Sequence, residues 1–124
     1  FVKQYHWKKG ESSWEKMVSS SEIDLVDICT PNDLHMPVAL AAAEAGKHIL
    51  CEKPMARDAG EAEKMYRAVK KAGVIHMMIF NYRFVPAIAL AREFITQGKI
   101  GAVRHFNAVY YQDWLTDPEF PITG

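Results

Sequence analysis

The sequence predicts an α/β protein built on a parallel sheet. Three short apolar stretches, at 25–29, 48–51 and 74–80, each have the length of a buried strand. Segments with helical composition or periodicity separate them, at 38–45 and 58–72. The order strand, helix, strand, helix, strand favours parallel pairing through right-handed crossovers, with strands buried on both faces of the sheet.

The first two helices are predicted from their start signals. A capping box has Ser12 as N-cap and Glu15 as the third helical residue, and it opens a short helix before the first strand. In the next helix, Asn32 or Asp33 can cap the N-terminus, and Pro37 suits the first turn.

Glycines are predicted to end the second and third helices, because Gly46 and Gly73 readily adopt the left-handed conformation found there. The third helix begins at Asp58 and presents four residues to the core at i, i+3, i+4 and i+7. These are Ala62, Met65, Tyr66 and Val69.

The remainder of the chain predicts one more helix and one more strand. Pro86 opens the helix, which carries apolar residues on one face, and Gly98 closes it. Residues 103–111 are longer and of mixed polarity, which indicates a strand in a sheet with unequal faces. Residues 112–124 show no period and are expected to form an extended loop.

Composition excludes several classes of protein. The 124 residues carry no formal net charge and no basic run, which argues against binding to nucleic acid or a membrane surface. No apolar stretch approaches the roughly 20 residues of a membrane span, and the first residues lack the layout of a signal peptide. Cys29 and Cys51 are expected to be reduced core thiols of a cytosolic protein. Cysteine and histidine spacings predict no metal site.

Polar turns follow all three predicted strands. In open parallel sheets, ligands bind beyond the carboxyl ends of the strands, so we expect these turns to line one site. The turns are Thr30-Pro31-Asn32, Glu52-Lys53-Pro54 and Asn81-Tyr82-Arg83. Each carries more polar groups than a plain turn requires.

The turn at 52–54 is the most suggestive of chemistry. The Glu52 carboxylate can accept hydrogen bonds from ribose hydroxyls, and Lys53 can donate to a substrate hydroxyl. Burial or a neighbouring cation would lower the pKa of a lysine at this position toward the range useful for proton transfer. A cis bond before Pro54 would aim the lysine. The alternative from spacing alone is an exposed turn with an ion-paired lysine.

These motifs together resemble the Gfo/Idh/MocA oxidoreductase family, named for glucose–fructose oxidoreductase and inositol dehydrogenase. The resemblance rests on Cys29-Thr30-Pro31-Asn32 with His35, Ala45-Gly46-Lys47-His48, Cys51-Glu52-Lys53-Pro54 and Asn81-Tyr82-Arg83-Phe84. It implies hydride transfer between NAD or NADP and a carbinol carbon of a sugar or polyol. It also implies a cytoplasmic enzyme that forms a homo-oligomer through the sheet of its C-terminal domain.

The resemblance further implies a division of the chain. Residues 1–83 would be the second half of a Rossmann-type parallel sheet. Residues 84–124 would be a crossover helix leading into the first strand of a C-terminal α/β domain with a mostly antiparallel sheet.

The resemblance also assigns roles to single residues. Lys53 would be catalytic and contact the substrate hydroxyl, and Tyr111 and Trp114 would also face the substrate. An alternative role for Trp114 is packing between domains or subunits. The cofactor-binding residues would be Thr30, Pro31, Asn32, His35, Glu52, Lys53, Pro54, Asn81 and Arg83.

Several parts of the family pattern are absent from this sequence. No Gly-rich phosphate turn of the form GxGxxG occurs, and the acidic residue for the adenosine ribose is not identifiable. The Asp and His that the family uses for proton transfer in the second domain are also missing. We therefore expect a central part of a longer enzyme, which alone would be inactive and bind NAD(P) weakly or not at all.

Two other functions fit the same residues. One is a non-catalytic relative that binds a nucleotide or sugar, and the other is a lyase or hydrolase that uses bound NAD in a transient oxidation. The retained Lys53 favours an enzyme. Neither the sugar nor the choice between NAD and NADP is encoded in the residues present.

Overall fold

The computed structural model describes residues 2–113, 116 and 119. The chain divides into two compact units, the first ending at Phe80 and the second beginning at Asn81. The first unit contains three strands and three α-helices, and the described part of the second contains one 3₁₀ helix and one α-helix.

The first unit is built on a parallel sheet, as the sequence predicts. Its strands are β1 (Leu25–Ile28), β2 (His48–Glu52) and β3 (His76–Ile79), in the order β1-β2-β3. Ile28 pairs with Cys51, and Glu52 pairs with Ile79. This register brings the carboxyl ends of all three strands to the same edge of the sheet.

Three helices accompany the strands: α1 (Trp14–Val18), α2 (Asn32–Glu44) and α3 (Ala59–Ala72). Helix α2 packs against α3, β1 and β2, and α1 packs against α2. A single apolar cluster fills the space between the helices and the sheet. Its buried members are Val18, Val26, Ile28, Val38, Ala39, Ala42, Ala43, Ile49, Cys51, Met65 and Val69.

The prediction that the strands are buried on both faces is wrong for this chain. In β1, Val26 and Ile28 are buried, whereas Leu25 and Asp27 are exposed. The strand order explains this, because two successive right-handed crossovers in one direction place α2 and α3 on the same face. The opposite face carries Leu25 and Met77, which are about half exposed.

Two predicted helix starts are corrected by the structure. Ser13, not Ser12, caps α1, and its Oγ accepts from the Lys16 N–H at 3.4 Å. Asn32 does not cap α2 but is its first residue, after Pro31 at the N-cap position without a side-chain cap. Pro37 therefore lies inside α2, beyond the first turn, where it removes one backbone donor from the helix.

The glycines predicted to end α2 and α3 are found just beyond the ends of these helices. Gly46 and Gly73 have φ angles of 70° and 69°, the left-handed conformation expected after a helix. Asp58 caps α3 as predicted, and its side chain accepts from the Glu61 N–H at 2.9 Å. Tyr66 is wrongly assigned to the core stripe of α3, because it is exposed and packs edge-on against His76.

The second unit contains α4 (Pro86–Thr96), with Pro86 in its first turn as predicted. Gly98 follows the helix with φ 69°. The predicted strand at 103–111 does not form. A strand needs a neighbour to accept its backbone hydrogen bonds, and the described part of this unit has no other strand.

The described residues lack two features that would indicate other functions. They contain no helix long and apolar enough to cross a bilayer. They also contain no group of three or more His, Cys, Asp or Glu side chains placed to hold a metal ion.

Candidate functional site

The first two predicted turns lie side by side at the carboxyl edge of the sheet. Because Ile28 pairs with Cys51, the chain beyond β1 leaves the sheet next to the end of β2. Thr30 then leads into α2, while Glu52 ends β2 and Lys53 follows it. The sequence-based expectation that these two turns converge is therefore met within the first unit.

A fully buried histidine joins the two turns. The side chain of His35, in α2, is 0 % exposed. Its Nδ1 lies 2.8 Å from the carbonyl oxygen of Pro54, and its Nε2 lies 3.0 Å from the carbonyl oxygen of Thr30. Both ring nitrogens are thus engaged by backbone, which leaves no polar atom of the ring for a ligand.

The hydroxyl of Thr30 is a candidate ligand contact. Its Oγ1 is buried, and it is the single buried side-chain polar atom in the described residues that has no hydrogen-bond partner. A buried hydroxyl without a hydrogen-bond partner lowers the stability of the fold by about 1–3 kcal/mol, so native structures contain few such atoms. A polar ligand over the β1–α2 turn would supply the missing partner. Pro31 and Asn32 follow it and are exposed.

Lys53 has the accessibility that contact with a substrate requires. Its side chain is exposed, and its amine makes neither a hydrogen bond nor an ion pair among the described residues. The ion-paired alternative therefore does not hold in this structure, and the burial that would favour proton transfer is not present either. The Lys53-Pro54 peptide bond is cis, as predicted.

Glu52 lies immediately before the lysine and is half-buried. One of its carboxylate oxygens accepts from the backbone N–H of Lys53 at 3.0 Å. The other carboxylate oxygen has acceptor capacity left for a ribose or sugar hydroxyl.

An ion pair between Arg57 and Glu61 anchors the far end of the lysine turn. The Arg57 guanidinium donates from Nε and Nη2 to one carboxylate oxygen, and the Arg57 backbone N–H donates to the other at 3.2 Å. Sequence reasoning missed this anchor, although the i,i+4 spacing of the two residues was a visible signal. The pair fixes the start of α3 relative to the turn.

This anchor predicts a pH dependence of stability. Hydrogen bonds from Arg57 lower the pKa of Glu61 in the folded chain below its ordinary value of 4.5. A lowered folded-state pKa gives stability that is present above pH 4.5 and lost as the pH falls through the folded-state value. The effect is modest, because the Arg57 side chain is 59 % exposed and water screens the pair.

Glu61→Gln is the matching variant for this prediction, since it keeps the shape but not the charge. Urea unfolding at pH 7 and at about pH 3.5 should show a larger loss of stability for the wild type than for the variant. Equal losses in the two proteins would contradict the assignment.

The two cysteines near this edge are not suited to nucleophilic chemistry. Both are free, but Cys29 is exposed, so the prediction of two core thiols holds for Cys51 alone. Cys29 is the first residue after β1 and continues its alternation of exposed and buried side chains on the exposed side. Burial raises the pKa of the Cys51 thiol to about 11, and desolvation also raises that of Cys29. Neither thiol is therefore expected to ionise appreciably at neutral pH.

The third predicted turn belongs to the second unit. Asn81 and Arg83 lie in the 3₁₀ helix Asn81–Phe84, and both are exposed. Their predicted role on the nicotinamide side stays a prediction. In the same unit, the hydroxyls of Tyr82 and Tyr110 lie 2.6 Å apart, a contact that the sequence did not indicate.

The two predicted substrate aromatics lie further along the second unit. Tyr111 is 93 % exposed, so it is accessible to a ligand, and its predicted role is untested. Trp114 lies outside the described residues, and its predicted role also stays a prediction.

Comparison with known proteins places this architecture in a family. The oxidoreductase family with an NAD-binding Rossmann fold, Gfo/Idh/MocA, matches residues 1–80. Levoglucosan dehydrogenase of Pseudarthrobacter phenanthrenivorans is 46% identical over 122 residues, which are 98% of this chain and 31% of that protein. 1,5-Anhydro-D-fructose reductase of Ensifer adhaerens is 40% identical over 119 residues, 90% of this chain and 36% of that protein.

A solved structure of levoglucosan dehydrogenase in complex with NADH and levoglucosan superposes with a TM-score of 0.94 at 46% identity. The match covers 98% of this chain and 33% of that one, so the chain spans about a third of the length of the relatives it matches. The parallel sheet, the polar turns at its carboxyl edge and the family match agree. This chain belongs to the Gfo/Idh/MocA family of oxidoreductases with an NAD-binding Rossmann fold.

Proposed function

We propose that this chain is part of an NAD(P)-dependent dehydrogenase that acts on a carbinol carbon of a sugar or polyol. Residues 1–83 supply the carboxyl-terminal part of its dinucleotide-binding domain, and residues 84–124 begin a second, substrate-binding domain. The main observation in support of this proposal is that the polar turns after β1 and β2 lie side by side at the carboxyl edge of the sheet. The Thr30 hydroxyl in one turn and the Lys53 amine in the other both lack a partner among the described residues.

The residues of this edge fit a nicotinamide ribose. The Thr30 hydroxyl and the Glu52 carboxylate are a donor and acceptors of the kind that ribose hydroxyl groups bind. Asn32 adds an exposed amide at the start of α2. The sequence has no Gly-rich phosphate turn, so this chain supplies part of the cofactor site, and the rest belongs to segments outside it.

Lys53 is the proposed catalytic residue. When bound, the nicotinamide would accept a hydride from the substrate carbon. The Lys53 amine would hydrogen-bond to the hydroxyl on that carbon and orient it. The hydroxyl proton would pass to a base outside this sequence, the role that the resemblance gives to an Asp and a His of the second domain. On the strength of the family resemblance, Tyr111 and Trp114 are proposed to contact the substrate, and Asn81 and Arg83 to bind the cofactor.

The exposed side of the sheet supports the domain assignment. Parallel sheets of this class are covered on both faces, yet here Leu25 and Met77 are about half exposed opposite the helices. The remainder of the dinucleotide-binding domain is proposed to cover them. Cytoplasmic location and oligomerisation through the sheet of the second domain remain predictions from the resemblance.

The proposal is tested by reduction of NAD and NADP by the full-length protein. The substrate panel contains levoglucosan, scyllo-inositol and common aldoses, and reduced nicotinamide is followed by absorbance. The reverse reaction is tested with 1,5-anhydro-D-fructose. We expect turnover of at least one sugar or polyol in a cofactor-dependent reaction. Bond cleavage or dehydration without net reduced nicotinamide would contradict the proposal and favour a lyase or hydrolase.

A further inference from the structure

His35 touches both turns of the proposed site without facing it. Its ring is 0 % exposed, and both ring nitrogens already lie against backbone carbonyls, so the ring presents no free polar atom to cofactor or substrate in this structure. It lies in α2, yet one of its two partners, Pro54, is 19 residues away in the chain and immediately follows Lys53. The other partner, the Thr30 carbonyl, belongs to the residue whose hydroxyl is unpaired.

We propose that His35 is a positioning residue that sets Lys53 relative to the β1–α2 turn, an inference that rests on the proposed function. The imidazole is a rigid ring whose two nitrogens lie 2.8 Å and 3.0 Å from the two carbonyl oxygens, which fixes the carbonyls relative to each other. Moving one turn without the other would lengthen one of these contacts. A nicotinamide ribose bound at the Thr30 turn would thereby keep a constant separation from the Lys53 amine.

Other contacts do not replace this link. Within residues 54–56, the bond from His35 is the one hydrogen bond to another element among the described residues. Met55 and Ala56 pack against the apolar core, but such packing is non-directional. Arg57 and Glu61 fix the far end of the turn to α3, not to the Thr30 turn.

The chemistry of the two acceptors makes histidine well suited to this role. Both partners of the ring are carbonyl oxygens, which only accept hydrogen bonds. A neutral imidazole donates from one nitrogen, and a protonated ring donates from both. An apolar side chain of similar volume would fill the same space but donate to neither carbonyl. Such a substitution therefore removes the hydrogen bonding of His35 while largely keeping its packing.

A double-mutant cycle on the full-length protein tests whether His35 acts through Lys53. His35→Leu should lower kcat by about 10- to 100-fold in the wild-type background, because small misplacements of reacting groups have effects of this size. In the Lys53→Ala background, the same change should lower kcat less than about threefold. Equal reductions in both backgrounds would overturn the proposal.

Two further variants distinguish the loss of positioning from a general loss of stability. His35→Gln keeps an N–H donor, and it should have a higher kcat than His35→Leu, with a similar KM for NAD(P). Val18→Ala weakens the same core from α1, where Val18 is 2 % exposed, and should leave kcat within about twofold of wild type. A glutamine variant no better than leucine, or an alanine variant equally impaired, would count against positioning.

Amide hydrogen exchange of the cofactor-free protein gives a readout that does not depend on activity. His35→Leu should accelerate exchange in residues 30–34 and 53–57, whereas Val18→Ala should leave these segments unchanged. Unaltered exchange in both segments of His35→Leu would overturn the link. If the wild type reduces no NAD(P), the proposed function fails, and the exchange data still decide whether His35 holds the two turns together.

Discussion

Replacing Lys53 with alanine is expected to lower kcat of the full-length enzyme by about 10²–10⁴-fold, the usual contribution of a positioned acid–base group. The reason lies in the geometry of the turn. Lys53 follows the last residue of β2, its amine is unpaired among the described residues, and the turn is held from both sides by His35 and Arg57. Steady-state kinetics with the best sugar of the panel measure the change.

Two controls define what the lysine does. Lys53→Arg keeps the positive charge but exchanges protons poorly near neutral pH, so it should remain at least tenfold below wild type if proton transfer matters. Lys64→Ala removes an exposed lysine of α3 and should leave kcat within about twofold. Turnover of Lys53→Ala equal to wild type would remove Lys53 from the mechanism.

Replacing Ile28 with alanine is expected to lower the free energy of unfolding by about 2–5 kcal/mol, the range for such truncations in protein cores. Ile28 is 1 % exposed, ends β1 and belongs to the cluster between the sheet and the helices. Its removal leaves a cavity beneath the turn that carries Thr30. Urea denaturation followed by tryptophan fluorescence measures the loss.

The matched control for this prediction is Ile28→Val, which removes one methylene group and should cost about 0.5–1.5 kcal/mol. Lys64 lies on the exposed side of α3, so Lys64→Ala should cost much less than Ile28→Ala. A loss below about 1 kcal/mol for Ile28→Ala would show that the core tolerates the cavity. The packing described for β1 would then be wrong.

Much of the first unit was predictable because its signals are local. Each strand is a short apolar stretch, and Gly46 and Gly73 mark helix ends through a conformation that glycine adopts most easily. The cis bond at Lys53-Pro54 was only one of two options from the sequence, because most X-Pro bonds are trans. The position of the polar turns was predictable for a different reason, because parallel strands bring their carboxyl ends to one edge.

The errors concern features that depend on the three-dimensional arrangement. Ser12 has the capping-box spacing to Glu15, yet Ser13 has the extended backbone of an N-cap and accepts from the Lys16 N–H. Tyr66 has the spacing of a core residue but lies at the margin of the buried stripe, where it remains exposed. The strand predicted at 103–111 requires a partner strand that the described part of its unit does not contain.

The contact that most shapes the candidate site was also hidden from the sequence. His35 was assigned to the cofactor neighbourhood because of its position in a family motif, and its burial and two carbonyl partners were not foreseen. Its bond to Pro54 joins segments 19 residues apart, so no local pattern encodes it.

The central claim is that the carboxyl edge of this sheet forms the nicotinamide side of a dehydrogenase site. A crystal structure of the full-length protein with NADH tests this most directly. We expect the nicotinamide ribose within hydrogen-bonding distance of the Thr30 hydroxyl or the Glu52 carboxylate, with the Lys53 amine facing the space beside the nicotinamide ring. NADH bound away from these turns, with the Thr30 hydroxyl still unpaired, would contradict the account.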